Sequence, residues 1–417
     1  MTPVERDFQF NGGRSAVVSN EKVKIRFHGI CDRTRFPGTP NWLMLVPMTD
    51  RIAKLTTLTR DLISIDSRSF VSNIPIADRI AAELCDFEVE TLDYVDANGT
   101  AKRVLVAHRG GPGGISFSGH MDTVPDTGWQ DDPWSGRSDA GMLHGLGATD
   151  MKGPIAAAIM AARALPLSVP VSLFLTTDEE TTKEGARELV QRSALARVAK
   201  PAMILVVEPT KMIPVRGHRS HIVFTCVATG VQAHSATGLG RNANWALLPF
   251  LVEMKTLFDR LRTAPALQDQ DYDPVFSDLN LVLDNHSAAI NVTVPKATAR
   301  IKFRYSAKVD PAPVLDAVYS AAQRAGVAVT EAREGLPPEL PADHPLVRLC
   351  ADITGKQPDT VPFGTDASVL QALAPCVVMG PGDIGVAHAP GEAISTAELD
   401  AAIPLFTRLA ESIAERR

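Results

Sequence analysis

No run of about 18 apolar residues, the length that crosses a bilayer as a helix, occurs anywhere in the chain, so no membrane span is predicted. Residues 1–20 hold no apolar stretch of the kind a secretory leader carries. Cysteine is scarce: Cys31, Cys85, Cys226, Cys350 and Cys376 are scattered, and no two are spaced C-x-x-C. An odd, scattered set argues against a disulfide framework, a zinc ribbon and dithiol redox chemistry. It fits reduced, mostly buried thiols in a cytoplasmic protein. Positive charge is not in excess either. A formal net charge of −6 leaves no basic footprint, so nucleic acid is not an expected partner. Internal repeats and low-complexity tracts are also missing.

What is present is an ordinary globular composition, 45% hydrophobic and 22% charged. At 417 residues the chain is too long for one ordinary core, so two domains are expected. Residues 1–47 are polar, irregular and rich in arginine, and read as an N-terminal extension. Helical periodicity starts after Met48, with Ile52, Leu55, Leu58 and Leu62 at three- and four-residue steps. From residue 103 onward, short apolar runs alternate with helical stretches. RVLVAHR (103–109), GISFSG (114–119), VSLFLTT (171–177), AMILVV (202–207) and APCVVMGPG (374–382) read as strands. MKGPIAAAIMAARAL (151–165) and EGARELVQRS (184–193) read as helices, with Pro154 tolerable in a first turn. Nearly continuous apolar strands alternating with helices predict an α/β fold, a mostly parallel sheet with helices on both faces.

The pattern changes near residue 216. HIVFTCVATG (221–230) alternates as a half-buried strand, and a long helix follows at about 242–262. INVTVPKATARIKFRYSAKV (290–309) reads as two strands and PAPVLDAVYSAAQRAG (311–326) as a helix. This β-α-β-β-α order suits a two-layer α+β unit. The layout expected is therefore a domain in two parts, 48–215 and 335–417, with 216–334 inserted between them.

The acids and histidines fall at the ends of the apolar strands. His120 and Asp122 follow ISFSG; Asp178, Glu179 and Glu180 follow VSLFLTT; Glu208 follows MILVV; His388 comes after CVVMGPG. Asp150 heads the helix that starts at Met151. Open parallel sheets bind ligands at the carboxyl ends of their strands. Singly, each feature has a bland reading: a polar pair for H-x-D, a helix cap for the acidic run and for Asp150. Together, His120, Asp150, Glu180, Glu208 and His388 form a ligand set for divalent metal, zinc first, with cobalt and manganese as alternatives. Five ligands exceed what one ion needs, so two ions sharing a carboxylate are expected. Bound water there becomes a nucleophile near neutral pH and needs a base, a task that Glu179 and Glu180 can divide. Asp122 is expected to accept a hydrogen bond from the second ring nitrogen of His120. Of the other histidines, His28, His108, His144, His286 and His344 read as solvated or structural. His218 and His221, at the expected boundary, remain open. His234, among small residues in GVQAHSATGLG, is placed where a substrate can approach.

Seven stretches carry a resemblance: SGHMDTVPDTGWQDDPWSG (118–136), GLGATDMKGPIAA (145–157), TTDEETTKEGAREL (176–189), VEPTKMIPVRGH (207–218), GVQAHSA (230–236), FGTDAS (363–368) and GPGDIGVAHAPGE (380–392). In order and spacing they resemble the metal-dependent amidohydrolases that include acetylornithine deacetylase, succinyl-diaminopimelate desuccinylase, aminoacylases and bacterial glutamate carboxypeptidase. The resemblance implies His120, Asp150 and Glu208 on one ion, and Asp150, Glu180 and His388 on the other. It implies Glu179 as general base and His234 as the group that polarises the scissile carbonyl, supplied by the inserted domain of a partner subunit. A homodimer through that domain is implied with it. The first half of the chain is most similar to acetylornithine deacetylase. In the inserted part, Asn291-Val292 stands where that enzyme has an asparagine-arginine pair, and KFRYSAKVD (302–310) and FGTDAS are more similar to the desuccinylase and carboxypeptidase branches. Arg304 is the candidate clamp for a substrate carboxylate, with Asn291 and Gly364 as further candidate contacts. The reaction implied is hydrolysis of the amide in a small N-acyl amino acid, as in acetylornithine deacetylase, with a succinyl-diaminopimelate desuccinylase-like activity, a di- or carboxypeptidase or an aromatic amidohydrolase as alternatives. A non-catalytic metal or amino-acid binder is disfavoured, because a binder has no use for a base beside the metal water.

Overall fold

The computed structural model describes residues 48–416; the N-terminal extension read at 1–47, with Cys31 and His28, lies outside them. The fold is α/β. One large sheet runs in the order β1 (Glu88–Val95), β2 (Ala101–Arg109), β6 (Val171–Thr176), β3 (Ile115–His120), β7 (Met203–Pro209), β14 (Cys376–Gly380), β8 (Val215–His218), β13 (Asp359–Val361). Its four central strands, β6, β3, β7 and β14, are mutually parallel. They are also buried along their whole length, which is why they read as unbroken apolar runs and not as alternations. The antiparallel additions lie outside this centre: β1 on β2, β2 on β6, and β14 on β8. A small sheet of β4 (Arg137–Asp139), β5 (Met142–His144) and β15 (Ala393–Ser395) lies apart from it.

Side chains of each central strand feed two different cores, because successive residues point to opposite faces. Met203, Leu205, Val207, Val377 and Met379 join one cluster with the helices Met48–Ile63, Gly153–Ala164 and Thr396–Glu415. Ile204, Val206, Cys376 and Val378 join another with the helices Glu184–Arg192 and Ala194–Ala199. Every residue of Gly153–Ala164 except Arg163 is buried. A helix that is apolar all round has to be covered on all sides, and its run of alanines lets strand and helix approach closely. Thr396–Glu415, which covers it, starts where Ser395 accepts a hydrogen bond from the Glu398 amide, a side-chain cap on an otherwise orphaned donor.

Residues 220–333 build a four-stranded antiparallel sheet in the order β10 (Asp278–Asp284), β11 (Lys296–Tyr305), β9 (Ser220–Thr229), β12 (Ala328–Arg333). The helices Ala243–Thr263 and Ala312–Ala325 cover one face with a core of their own. Alternating burial along β9 follows directly from one covered and one open face. The order is β-α-β-β-α-β. It differs from the sequence reading at two strands. The segment 290–295 is not a strand: it ends in Pro295, which lacks an amide donor, and Val292 bridges only to the His234 loop. Its place is taken by β10, an edge strand exposed over most of its length, and β12 closes the other edge.

Candidate metal centre

The carboxyl ends of β6, β3, β7 and β14 lie on one edge of the sheet, and this parallel arrangement gathers the acids and histidines. His120 is the last residue of β3, and Glu208 is the penultimate residue of β7. Glu179 and Glu180 follow β6, and His388 sits in the loop after β14 with a positive φ of 60°. Asp150 is not a simple helix cap. It lies in a wide turn, Ala148–Lys152, with extended φ/ψ ahead of the helix. The amide of Gly147, just before that turn, and those of Thr149 and Asp150 within it donate to the buried Glu392 carboxylate at 3.1, 2.7 and 3.0 Å. The turn thereby presents Asp150 to the strand ends.

Two groups share Asp150. His120, Asp150 and Glu208 offer ligand atoms that all lie within 4.8 Å of one another, and so do Asp150, Glu180 and His388. Oδ1 of Asp150 is 3.0 Å from His120 Nε2, and its Oδ2 is 3.1 Å from His388 Nε2. Glu208 Oε1 lies 3.9 Å from His120 Nε2, and Glu180 Oε1 lies 2.9 Å from His388 Nε2. Three carboxylates and two imidazoles are thus packed with no cationic side chain among them. Their protonation shows the strain of that packing. Burial, followed by the charge of Asp150, pushes Glu208 well above the usual carboxylate range. Burial also pushes Glu180 up to about 7, against the hydrogen bond from His388. Hydrogen bonds to Asp150 and Glu180 raise His388 to about 11. Burial alone would keep His120 neutral, but the bond to Asp150 and the charges of Glu208, Asp150 and Asp122 raise it well above the histidine norm. In this arrangement protons do the neutralising that divalent cations do better. The donor chemistry, imidazole nitrogen plus carboxylate oxygen in two sets of three, is that of zinc-like ions, so the residues fit the two-ion reading.

The Asp122 carboxylate does something other than the sequence suggested. His120 Nδ1 donates to the Asp122 backbone carbonyl at 2.9 Å, while the nearest carboxylate oxygen is 3.6 Å away. The carboxylate instead accepts from Ser69 Oγ at 2.7 Å and from the amides of Glu179 and Glu180 at 3.2 and 3.3 Å. The tight turn after β3 brings its own carbonyl to the ring first, and this leaves the side chain to hold the acid pair. The tautomer of His120 is still fixed with Nε2 toward Asp150.

Glu179 is braced by Lys183 and Glu334, which the sequence reading passed over, and through them by His221. Lys183, only 4% exposed, pairs with the Glu179 carboxylate and, at 2.9 Å, with Glu334 Oε1. Glu334 Oε2 in turn meets His221 Nδ1 at 2.7 Å. Burial would strip Lys183 of its proton, but the charges of Glu179 and Glu334 raise its pKa, so it stays an ammonium. Asp178 is anchored from behind: fully buried Lys102 reaches it at 2.9 Å and Tyr94 Oη donates to it at 2.7 Å. Lys102→Met would leave a buried carboxylate without its cation, at a cost of about 3–5 kcal/mol. Urea unfolding is expected to show that loss of stability.

The remaining candidates lie elsewhere. His234 is exposed, and among the described residues its Nδ1 accepts from the Ala236 amide of its own loop. Exposed Asn291 accepts from the Ser235 amide, so the two belong to one paired segment. Gly364 packs against Glu334: a Cβ there would meet Oε1 at 2.6 Å. Arg304, half-buried on β11, stands opposite His221 and Asp278. His218 is buried and structural, between the Arg219 carbonyl and Thr365 Oγ1, each at 2.9 Å.

The chain is similar to known proteins in sequence and in fold. The sequence description of peptidase family M20/M25/M40 matches residues 116–412. An acetylornithine deacetylase from Myxococcus xanthus is 32% identical over 371 residues, 84% of this chain and 95% of that protein. An M20 family metallo-carboxypeptidase from Sulfolobus solfataricus shares the fold with a TM-score of 0.67 at 15% identity, over 87% of this chain and 99% of that one. A dinuclear metal-binding peptidase of the M20 family from Bacillus subtilis does so with a TM-score of 0.60 at 17% identity, over 88% and 99%.

Proposed function

Since the chain belongs to peptidase family M20/M25/M40 and is a metal-dependent hydrolase, we propose that it hydrolyses the amide bond of small N-acyl amino acids with two zinc ions. The observation that carries this is Asp150, whose two oxygens each serve a separate set of three donors, with Glu179 alongside. His120, Asp150 and Glu208 would hold one ion; Asp150, Glu180 and His388 the other. Bound there, the ions would supply Lewis-acid chemistry, polarising the scissile carbonyl and acidifying a water. Glu179 is placed to take a proton from the attacking water and to return it to the leaving nitrogen. Lys183 orients the Glu179 carboxylate, and the Asp122 carboxylate fixes the backbone of Glu179 and Glu180. Arg304 clamps the substrate carboxylate. His234, which belongs to neither set of three donors, acts on the carbonyl oxygen of the partner subunit's substrate. A panel of N-acetylornithine, N-succinyl-diaminopimelate and dipeptides, run with zinc, cobalt and manganese, tests the reading. Turnover of dipeptides alone would contradict it.

The homodimer in this proposal forms through 216–334. On the helix Ala243–Thr263, Trp245, Leu248 and Val252 are exposed at spacings that place them on one face. Beside them β10 is an open sheet edge, with Leu281, Val282 and Leu283 exposed. An apolar stripe next to an unpaired edge is a surface that a second copy covers. Trp245→Glu combined with Val252→Glu is expected to halve the mass in gel filtration and to abolish turnover, since each site then lacks the partner's His234. Buried thiols at Cys226, Cys350 and Cys376 suit a reducing cytoplasm. Among the described residues no helix is long and apolar enough to cross a membrane.

A further inference from the structure

The chain leaves the large sheet after β8 and returns to it after β12. The two crossings run beside each other. The amide of His218 donates to the Pro338 carbonyl at 3.1 Å, that of Leu340 to the Arg216 carbonyl at 2.8 Å, and that of Glu334 to the His221 carbonyl at 3.1 Å. Together they make the ribbon that carries the four-stranded unit.

Glu334 sits where this ribbon meets the loop of acids after β6, and it is buried. Its Oε2 accepts from Ser220 Oγ at 3.2 Å and lies 2.7 Å from His221 Nδ1. Ser220 and His221 open β9, so this oxygen serves the four-stranded unit. Its Oε1 is 2.9 Å from Lys183 Nζ, and Lys183 pairs with Glu179. The helix that Lys183 heads also grips the main chain here: Arg187 donates to the carbonyls of Arg333 and Glu334, each at 2.9 Å. Gly364 backs the carboxylate so closely that a Cβ there would meet Oε1.

Burial works against the charge of Glu334, but the Lys183 ammonium and the His221 contact hold it well below the usual carboxylate range. Ion pairs of this kind tolerate little displacement, because a shifted partner leaves a charge stranded out of water. A shift of Glu334 is therefore passed to Lys183, and from Lys183 to Glu179. Lys183 also holds a positive φ of 57°. That backbone state is costly for a residue with a side chain and persists only where the surroundings enforce it. An ordinary surface ion pair requires neither the burial nor the backbone.

We propose that Glu334 and His221 are positioning residues for hydrolysis, which through Lys183 tie the Glu179 carboxylate to the seating of the four-stranded unit. The base is then aligned while that unit is held on its ribbon, and drifts when the link is cut. Neither residue has to touch substrate for this. The inference rests on the reading of Glu179 as the base for its effect on turnover, but not for the mechanical link.

Two readouts on the zinc-loaded enzyme keep those apart. The first is kinetics with N-acetylornithine or N-succinyl-diaminopimelate, whichever is hydrolysed faster. Small misplacements of a reacting group cost up to about 10²-fold, so Glu334→Gln is expected to lower kcat at least about tenfold. KM should stay within about threefold, the pattern of a displaced catalytic group and not of lost binding. His221→Leu should lower kcat in the same way. His221→Asn, whose Nδ2 can stand in for Nδ1, should restore it. The double variant Glu334→Gln with His221→Leu should be no slower than Glu334→Gln alone, because the two act through one chain of contacts. The second readout is hydrogen exchange at 178–184, where the Lys183 amide donates to the Asp178 carbonyl at 2.6 Å. Glu334→Gln and His221→Leu are each expected to speed exchange there about tenfold and to leave the helix Gly153–Ala164 unchanged. Wild-type kcat in either variant, a change confined to KM, multiplied losses in the double variant, or unchanged exchange at 178–184 overturns the proposal. Full turnover by Glu179→Gln, or no hydrolysis of either substrate by the wild type, would overturn the proposed reaction instead. Faster exchange at 178–184 in the two variants would then leave the link standing.

Discussion

Glu179→Gln is expected to keep its metal and lose its turnover, with kcat lower by roughly 10²–10⁴-fold, the usual contribution of a positioned acid–base group. The substitution changes one oxygen to an amide nitrogen and preserves the shape. Glu179 belongs to neither set of three donors, so metal content measured by atomic emission should match the wild type. What disappears is the acceptor for the water's proton and the donor for the leaving amine. The amide also cannot pair with Lys183 as the carboxylate does, but Glu334 remains to hold that ammonium at 2.9 Å. Equal turnover in wild type and variant would remove Glu179 from the reaction.

The second large effect is at Asp150. Asp150→Ala leaves His120 with Glu208, and Glu180 with His388, two donors in each group where stable zinc sites use at least three. Both ions should be lost on dialysis, and activity with them. Glu180→Ala and His388→Ala touch only one group and are expected to release one ion and retain the other. The contrast separates a shared ligand from a general weakening of the fold, because the turn that carries Asp150 is held by backbone bonds to Glu392, which the substitution leaves in place.

The difference between what was legible in the sequence and what was not has physical causes. Strands β6, β3, β7 and β14 were visible because strands buried on both faces are apolar throughout. The polar residue ending each run then marks the sheet edge without any further information. β10 and β12 were missed because exposed edge strands mix polar and apolar residues freely. Asp150 was visible as an acid before a helix, but the wide turn that aims it depends on Glu392, 242 residues away. No local pattern reveals such a bond. Asp122 was found and given the wrong hydrogen bond, since spacing cannot tell a side-chain oxygen from the backbone carbonyl of the same residue. Lys183 was invisible for a similar reason: a lysine at a helix start is ordinarily solvated, and only the return of the chain at Glu334 buries it.

Anomalous diffraction at the zinc edge from crystals grown with zinc tests the central claim most directly. Two peaks about 3.5–4 Å apart are expected on either side of the Asp150 carboxylate, one beside His120 and Glu208, the other beside Glu180 and His388. A single peak, or peaks that avoid Asp150, would contradict a shared two-ion centre.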